Sequence, residues 1–282
     1  MNNFKHELID QNKMYFEVAL SQKCSMRCNG CMEGCHPDMT KNRDTTYDIK
    51  EFENDFKYLS KFYNDNMIFH LLGGEPFELP NFLDYARIIR KYFNNAGIDV
   101  LNNGVVLYTK SDSYLKEVKE LNLIPVVTEY PLYKSIRDKL IQRLNNFNIE
   151  HYYHHSDMKE DNKHRDWFMK PLSYTKEFYD QDKNFGSCTS DCVTIYKGNL
   201  YSCVTQLSIA GRNYLFGTNY KTSPKAIKDL NSFDDITEFA KTSADFCKYC
   251  TIGANEFENN DNFRIKWAKA SHIDKDVYIL EN

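Results

Sequence analysis

Cys24-Ser25-Met26-Arg27-Cys28-Asn29-Gly30-Cys31 is the stretch that orders the rest of the chain. Its three thiols, separated by three and then two residues, can close on one small soft object from a single loop. Thiolates take zinc, copper(I) or iron–sulfur clusters, so ligand chemistry alone leaves several occupants open. A structural zinc wants four protein ligands, usually as two short pairs. No second pair lies near, and Cys35 is the residue that would complete such a site. A four-iron cluster on three cysteines keeps one iron open to an outside ligand.

Upstream, Tyr15–Leu20 has the composition of a strand that delivers Cys24 into the loop after it. Downstream, Asp48 and Glu51 form a capping pair for a helix that buries Ile49, Phe52, Phe56, Leu59 and Phe62. Met67–Leu72 reads as a buried second strand and runs into Gly73-Gly74-Glu75-Pro76. Glycines there let a ligand approach the backbone, and the proline ends strand pairing. The carboxylate can accept a hydrogen bond from a ligand ammonium.

Alternation then continues. A helix over 81–93 is followed by a strand over 98–101 that ends in Asn102-Asn103-Gly104. Ser113 caps a helix carrying Leu115, Val118 and Leu121. A strand over 124–128, a helix with Ile136, Leu140 and Leu144, and a segment at 149–153 follow. This order predicts an α/β fold with parallel strands, in a doubly wound sheet or a partial barrel. Either gathers ligands at the carboxyl ends of its strands, where the loops at Cys24, Gly73, Asn102 and Thr128 all lie. Asn102 and Asn103 also fit an ordinary Asn-Gly turn. His151, His154 and His155 sit in a polar stretch on alternating faces and read as a solvated strand edge.

With the cysteine motif and the Gly73–Pro76 turn in this order and at this distance, the chain resembles the radical S-adenosylmethionine (radical SAM) superfamily over nearly its whole length. The resemblance implies a partial (β/α)6 barrel with a 4Fe–4S cluster on Cys24, Cys28 and Cys31. The open iron would chelate the amino acid end of SAM, and Gly73, Gly74, Glu75 and Pro76 would hold the methionyl ammonium. It also implies that Asn102 and Asn103 contact the SAM ribose or carboxylate, and that Thr128, with Glu129, contacts the ribose. The superfamily usually has an aromatic residue just before the third cysteine, against the adenine. Here that residue is Gly30, so the adenine contact comes from elsewhere.

The alternation lapses after a charged stretch over 156–166, and cysteines return. Cys188 and Cys192 precede a hairpin, Val193–Tyr196 and Leu200–Val204, that turns at Lys197-Gly198; Cys203 lies on its returning strand. An amphipathic stretch containing Ile227, Leu230, Phe233, Ile236 and Phe239 leads to Cys247 and Cys250, a Cys-x-x-Cys pair. Cys188, Cys203, Cys247 and Cys250 supply four thiolates to one site, which a zinc ion would also satisfy. Their order resembles a Twitch domain, the shortened SPASM domain, and implies an auxiliary 4Fe–4S cluster. Across the two-residue turn Cys192 falls opposite Cys203, which makes it the substitute for Cys188. The expected organisation is a barrel domain over 1–170 and a small hairpin-and-helix cluster domain over 171–282.

The chain has 282 residues, 41% hydrophobic and 27% charged, with 20 Tyr and 19 Phe to fill a core. A net charge of −4 with no long basic run gives no electrostatic footprint for nucleic acid. Without a run of ~20 apolar residues or a signal-peptide core, neither a membrane partner nor export is expected, and the reading is cytoplasmic. Nine cysteines in a reducing compartment point to metal rather than disulfides.

The resemblance then implies an oxidoreductase of the dehydrogenase type, with two 4Fe–4S clusters and SAM. It would take electrons from a flavodoxin or ferredoxin and oxidise a small molecule, a sugar or cyclitol alcohol. Similar Twitch dehydrogenases and radical SAM proteins of bacterial polysaccharide loci suggest that substrate class. One alternative is a peptide maturase; such enzymes carry a leader-binding module ahead of the motif, for which the stretch before Cys24 is too short. The other is a zinc-bound protein without chemistry.

Overall fold

The structure, a computed structural model, describes residues 14–62, 67–128, 130, 133–154, 166–168, 176–186, 188, 193–251, 264–266, 269 and 271–279. The chain starts as β1 (Met14–Ala19), α1 (Pro37–Thr40), α2 (Ile49–Leu59), β2 (Met67–Leu72), α3 (Phe82–Tyr92) and β3 (Gly97–Asn102). It continues through α4 (Val105–Thr109), α5 (Asp112–Glu120), β4 (Ile124–Thr128), α6 (Lys134–Asn146) and β5 (Tyr152–His154). Strands β1 to β5 pair in parallel with their sequence neighbours, as strands joined by helical crossovers must.

Side-chain alternation builds the two faces. Phe16 and Val18, Phe69 and Leu71, and Ile98 and Val100 point to the helices and are buried. There Phe52 and Phe56 of α2 stack at 4.2 Å, Phe56 meets Phe69 at 5.4 Å, and Phe69 meets Phe93 at 4.9 Å. Truncating a phenylalanine in such a cluster costs about 3–5 kcal/mol. Asp48 caps α2 as the spacing predicts, accepting the N–H groups of Lys50 at 2.9 Å and Glu51 at 3.0 Å. Helix α5 starts two residues earlier than expected. Ser111 rather than Ser113 is its cap, taking the N–H of Tyr114 at 3.2 Å, because Asp112 already sits in the helical first turn.

The second half comprises β6 (Asp166–Phe168), α7 (Gln181–Gly186), β7 (Val193–Tyr196), β8 (Asn199–Tyr201), α8 (Ile209–Phe216), β9 (Lys225–Ala226), α9 (Phe233–Ala240), β10 (Arg264–Lys266) and α10 (Lys275–Tyr278). Strands β6 and β10 form their own antiparallel pair. The hairpin does not stand apart from the barrel strands. β7 lies parallel to β1, and the eight-stranded sheet runs β5-β4-β3-β2-β1-β7-β8-β9. Its register, Tyr196 against Asn199, is the expected one, but the returning strand ends at Tyr201 and gives way to a 3-10 turn over Val204–Ser208. The boundary between 170 and 171 falls outside the described residues. The fold is mixed α/β, with the partial-barrel arrangement that the resemblance implies rather than the doubly wound sheet that the alternation alone left open. Among the described residues no helix is long and apolar enough to cross a membrane.

Candidate active site

A cavity of about 300 Å³ opens at the carboxyl ends of β1 to β4. Cys24, Cys28 and Cys31 form one wall. Gly73, Gly74 and Glu75 after β2, Asn102 and Asn103 after β3, and Thr128 at the end of β4 form the other. Among the residues the sequence assigned to this site, Pro76 stands behind the wall, buried in the 3-10 turn over Pro76–Glu78. Glu129 lies outside the described residues.

The glycines of the turn serve a closer contact than a ligand's. A Cβ on Gly73, whose φ is +120°, would stand 2.2 Å from the Ser21 carbonyl oxygen. One on Gly74 would stand 1.7 Å from that of Lys23. The two loops interlock through their main chains, with Gly74 N–H donating to Ser21 at 2.6 Å and Glu75 N–H to Lys23 at 2.8 Å. This seam holds the turn against the segment that leads into Cys24.

Glu75 is 2% exposed. Its Oε1 accepts the N–H of Phe77 at 3.2 Å and its Oε2 that of Asn103 at 2.8 Å. Burial pushes its pKa up to about 8, against the pull of those two N–H groups. The carboxylate therefore fastens the turn after β2 to the turn after β3, and still has lone pairs for an ammonium.

The two asparagines differ. Asn102 is committed to the sheet: its Nδ2 donates to Val100 O at 2.8 Å and Val126 O at 3.3 Å, and its Oδ1 takes the N–H of Gly104 at 2.9 Å. Asn103 Oδ1 takes the N–H of Val105 at 2.9 Å, while its Nδ2 is buried with no partner in the cavity wall.

The thiols suit a soft metal group. The Cys35 thiol lies beside the Cys31 sulfur and donates to Glu33 Oε2 at 3.6 Å, and the N–H groups of Cys35, Glu33 and Gly34 turn toward the Cys31 sulfur. Together they outweigh burial and hold Cys31 down at about 6. Burial pushes Cys24 far up, so its ionisation needs a cation in place of the proton. Cys35 thus sits beside Cys31 with its thiol turned to the Glu33 carboxylate. Cys24, Cys28 and Cys31 all border the cavity.

Gly30 has a backbone reason for replacing the aromatic residue. Its φ is +78°, where a side chain is strained, and its N–H donates to the Tyr278 hydroxyl at 2.8 Å. Met26 and Tyr130, both nearly buried, pack with Cys28 and line the cavity.

A second set of cysteines gathers beyond β8. Cys203, Cys247 and Cys250 pack into one small apolar cluster with Phe246 and Tyr220. The charge of Cys188 bears on both Cys203 and Cys247, whose pKa values burial pushes up to about 12 and about 11. Cys192, the substitute for Cys188, lies outside the described residues. Asn184 of α7 steadies the Cys-x-x-Cys turn by donating to the carbonyls of Cys247 at 2.5 Å and Cys250 at 2.7 Å. Nothing in its sequence context marks it, since the contact spans helix and turn.

A polar row crosses the sheet below the cavity. Thr194, Glu17, His70 and Asp99 are in register on four adjacent strands. His70 and Asp99 share a face with Leu72 and Leu101 of the cavity wall, ~7 Å further down the strands. Glu17 Oε2 accepts the Thr194 hydroxyl at 2.8 Å, and protein encloses the carboxylate although water still reaches it. Burial raises its pKa. His70 Nε2 stands 3.1 Å from Asp99 Oδ2 without the alignment of a hydrogen bond, a contact that pairs charges only when the ring is protonated. Period-two alternation, applied to all four strands together, was the signal for this row.

Residues 16–146 match the family described as a 4Fe-4S single cluster domain. No curated protein matches the chain. Its fold is similar to that of native anSMEcpe with bound AdoMet, at 13% identity and a TM-score of 0.54, over 85% of this chain and 84% of that one. It is likewise similar to BtrN in complex with AdoMet and 2-DOIA, at 16% identity and a TM-score of 0.50, over 85% of this chain and 93% of that one.

Proposed function

We propose that this chain, a radical SAM superfamily protein by its cysteine motif, its strand-end turn and its fold, oxidises an alcohol on a small hydroxylated or amino-bearing molecule such as a sugar or cyclitol. The observation that carries the reading is the cavity in which Cys24, Cys28 and Cys31 face Glu75 and the unpartnered Asn103 amide. Cys24, Cys28 and Cys31 would hold one 4Fe–4S cluster, and Cys188, Cys203, Cys247 and Cys250 a second. When bound, the first supplies the electron that cleaves SAM to methionine and a 5′-deoxyadenosyl radical, and the second an acceptor for the electron left on substrate.

The chain's own groups then have distinct tasks. Glu75 and the Gly73–Gly74 turn bind the methionyl ammonium of SAM, Asn103 Nδ2 donates to its carboxylate or ribose, and Thr128 reaches the ribose. Tyr130 and Met26 provide the apolar surface for adenine that Gly30 does not. Below, the row of Thr194, Glu17, His70 and Asp99 favours a substrate rich in hydroxyl or amino groups, which carboxylates and an imidazole recognise by hydrogen bonds. Bound SAM would supply the radical that takes the carbinol hydrogen as an atom. The hydroxyl proton goes to Glu17, whose raised pKa suits a proton acceptor. An electron donor such as flavodoxin or ferredoxin would act at the protein surface.

Anaerobically reconstituted protein, given dithionite and SAM, should form 5′-deoxyadenosine. Adding candidate cyclitols, sugars and peptides should raise its yield only with the hydroxylated small molecules. Stimulation by peptide alone would replace this reading with that of a maturase.

A further inference from the structure

Arg212 has no exposed surface. Two glycines put it there. A Cβ on Gly34, whose φ is +70°, would stand 2.8 Å from Ser208 Cβ, and one on Gly211 would stand 2.8 Å from the Met39 carbonyl oxygen. Without those carbons, α8 lies directly on α1, and the residue before α8 on the loop that follows Cys31. Buried Gln22 closes the same seam by donating to the carbonyls of Glu33 at 2.5 Å and Leu207 at 3.0 Å. The side chain next to Gly211 is thereby driven inside.

Inside, the guanidinium meets neutral groups. Its Nε donates to Ser208 Oγ at 2.9 Å and its Nη1 to the Tyr278 carbonyl at 3.2 Å, while its carbon stands 5.1 Å from the centre of the Tyr278 ring. Nη2 is buried with no hydrogen-bond partner. No carboxylate pairs with it among the described residues. The groups whose charge bears on it most are Tyr278, Tyr220, Cys250 and Cys31. A guanidinium stays protonated in proteins, and a buried charge without a counter-charge is strongly disfavoured. The geometry leads to both cysteine sets: the Tyr278 beneath the guanidinium takes the N–H of Gly30 in the first cysteine loop at 2.8 Å, and Ile209 of the same helix packs with Cys203, Cys247 and Cys250.

We propose that Arg212 is the shared counter-charge of the two cluster sites, seated between the Cys31 loop and the Cys247–Cys250 turn so that it stabilises the reduced, more negative state of both. The proposal rests on the two-cluster reading above. Net charge is one means by which a protein sets the potential of such a cluster, and Arg212 offers it.

The test is a redox titration, followed by electron paramagnetic resonance, of the full chain reconstituted as wild type, Arg212→Gln and Arg212→Lys. In Arg212→Gln both couples should move to lower potential, by tenfold or more in the reduced-to-oxidised ratio, or about 59 mV for one electron. Arg212→Lys keeps the charge and should stay near wild type. Arg212→Gln with full iron and unmoved potentials overturns the proposal, and so does a shift at one cluster alone. If Arg212→Gln does not fold, a folded and loaded Arg212→Lys with wild-type potentials supports the charge. Failure of both variants to fold assigns the residue to packing and overturns it. Wild type that binds four irons rather than about eight overturns the two-cluster reading and this proposal together. Wild type at eight irons with unmoved variants overturns the proposal alone.

Discussion

Glu75 takes the main-chain N–H of Asn103 on its Oε2 at 2.8 Å, so one carboxylate ties the loop after the second strand to the loop after the third. In Glu75→Gln the amide must face its NH₂ toward one of two N–H groups, which should cost about 1–3 kcal/mol of stability. SAM affinity should fall roughly ten- to a hundredfold, with iron content unchanged. The sign of the pH effect follows from the raised pKa. Between the unfolded value of about 4.3 and the folded value of about 8, the folded protein binds the extra proton. Its contribution to stability therefore falls as pH rises across that window. Melting temperatures of the SAM-free protein should show the slope, and Glu75→Gln should flatten it. An unchanged slope would assign the titration elsewhere.

Asn103→Ser keeps an oxygen for the Val105 N–H and removes the spare amide. Melting temperature should barely move while SAM affinity drops about three- to tenfold, the worth of one hydrogen bond. Asn102→Ala should do the reverse, because its amide joins β3 to β4. Calorimetry on both variants checks the pair, and equal losses of affinity would refute the division of labour.

Reconstituted wild type should carry about eight irons. The triple Cys24/Cys28/Cys31→Ala variant should keep half and lose all SAM cleavage. Cys247→Ala should keep the other half and still move deuterium from substrate into 5′-deoxyadenosine, yet release no matching oxidised product. Normal turnover by Cys247→Ala would make the second site structural. Cys188→Ala should match Cys247→Ala in iron loss, and Cys192→Ala should not.

Glu17→Gln tests the proton acceptor. Turnover should fall by about 10²- to 10⁴-fold, the usual worth of a general base, while cluster content and SAM binding persist. Wild-type rate should climb with pH through the raised pKa of Glu17, because only the ionised carboxylate takes the proton. Loss of that climb in Glu17→Gln is the expected signature. A rate within a few-fold of wild type would exclude the role.

The barrel strands were legible because each is bounded by a helix with its own apolar stripe. Met67–Leu72 and the capped start at Asp48 fall where the pattern puts them. Helix α8 was not legible: Gly211 and Asn213 are poor helix formers, and the helix exists because Gly211 fits against Met39. The cysteine sets were readable by spacing, but Asn184 and Arg212 gain meaning only through contacts distant in sequence. Asn102 and Asn103 look equivalent in a string of letters. Their difference comes from β4, whose carbonyl at Val126 claims one amide and leaves the other.

Among the described residues the first strand in the chain is not an edge of the sheet. β1 lies between β2 and β7, and its Glu17 meets Thr194 across a sequence separation of 177 residues. On the ribosome, one flank of β1 therefore waits without its neighbour until most of the chain has emerged. An unpaired flank of this kind invites pairing with other chains, and such distant closure is slow. A nascent chain halted before Val193 is thus the form in which this protein most needs a chaperone.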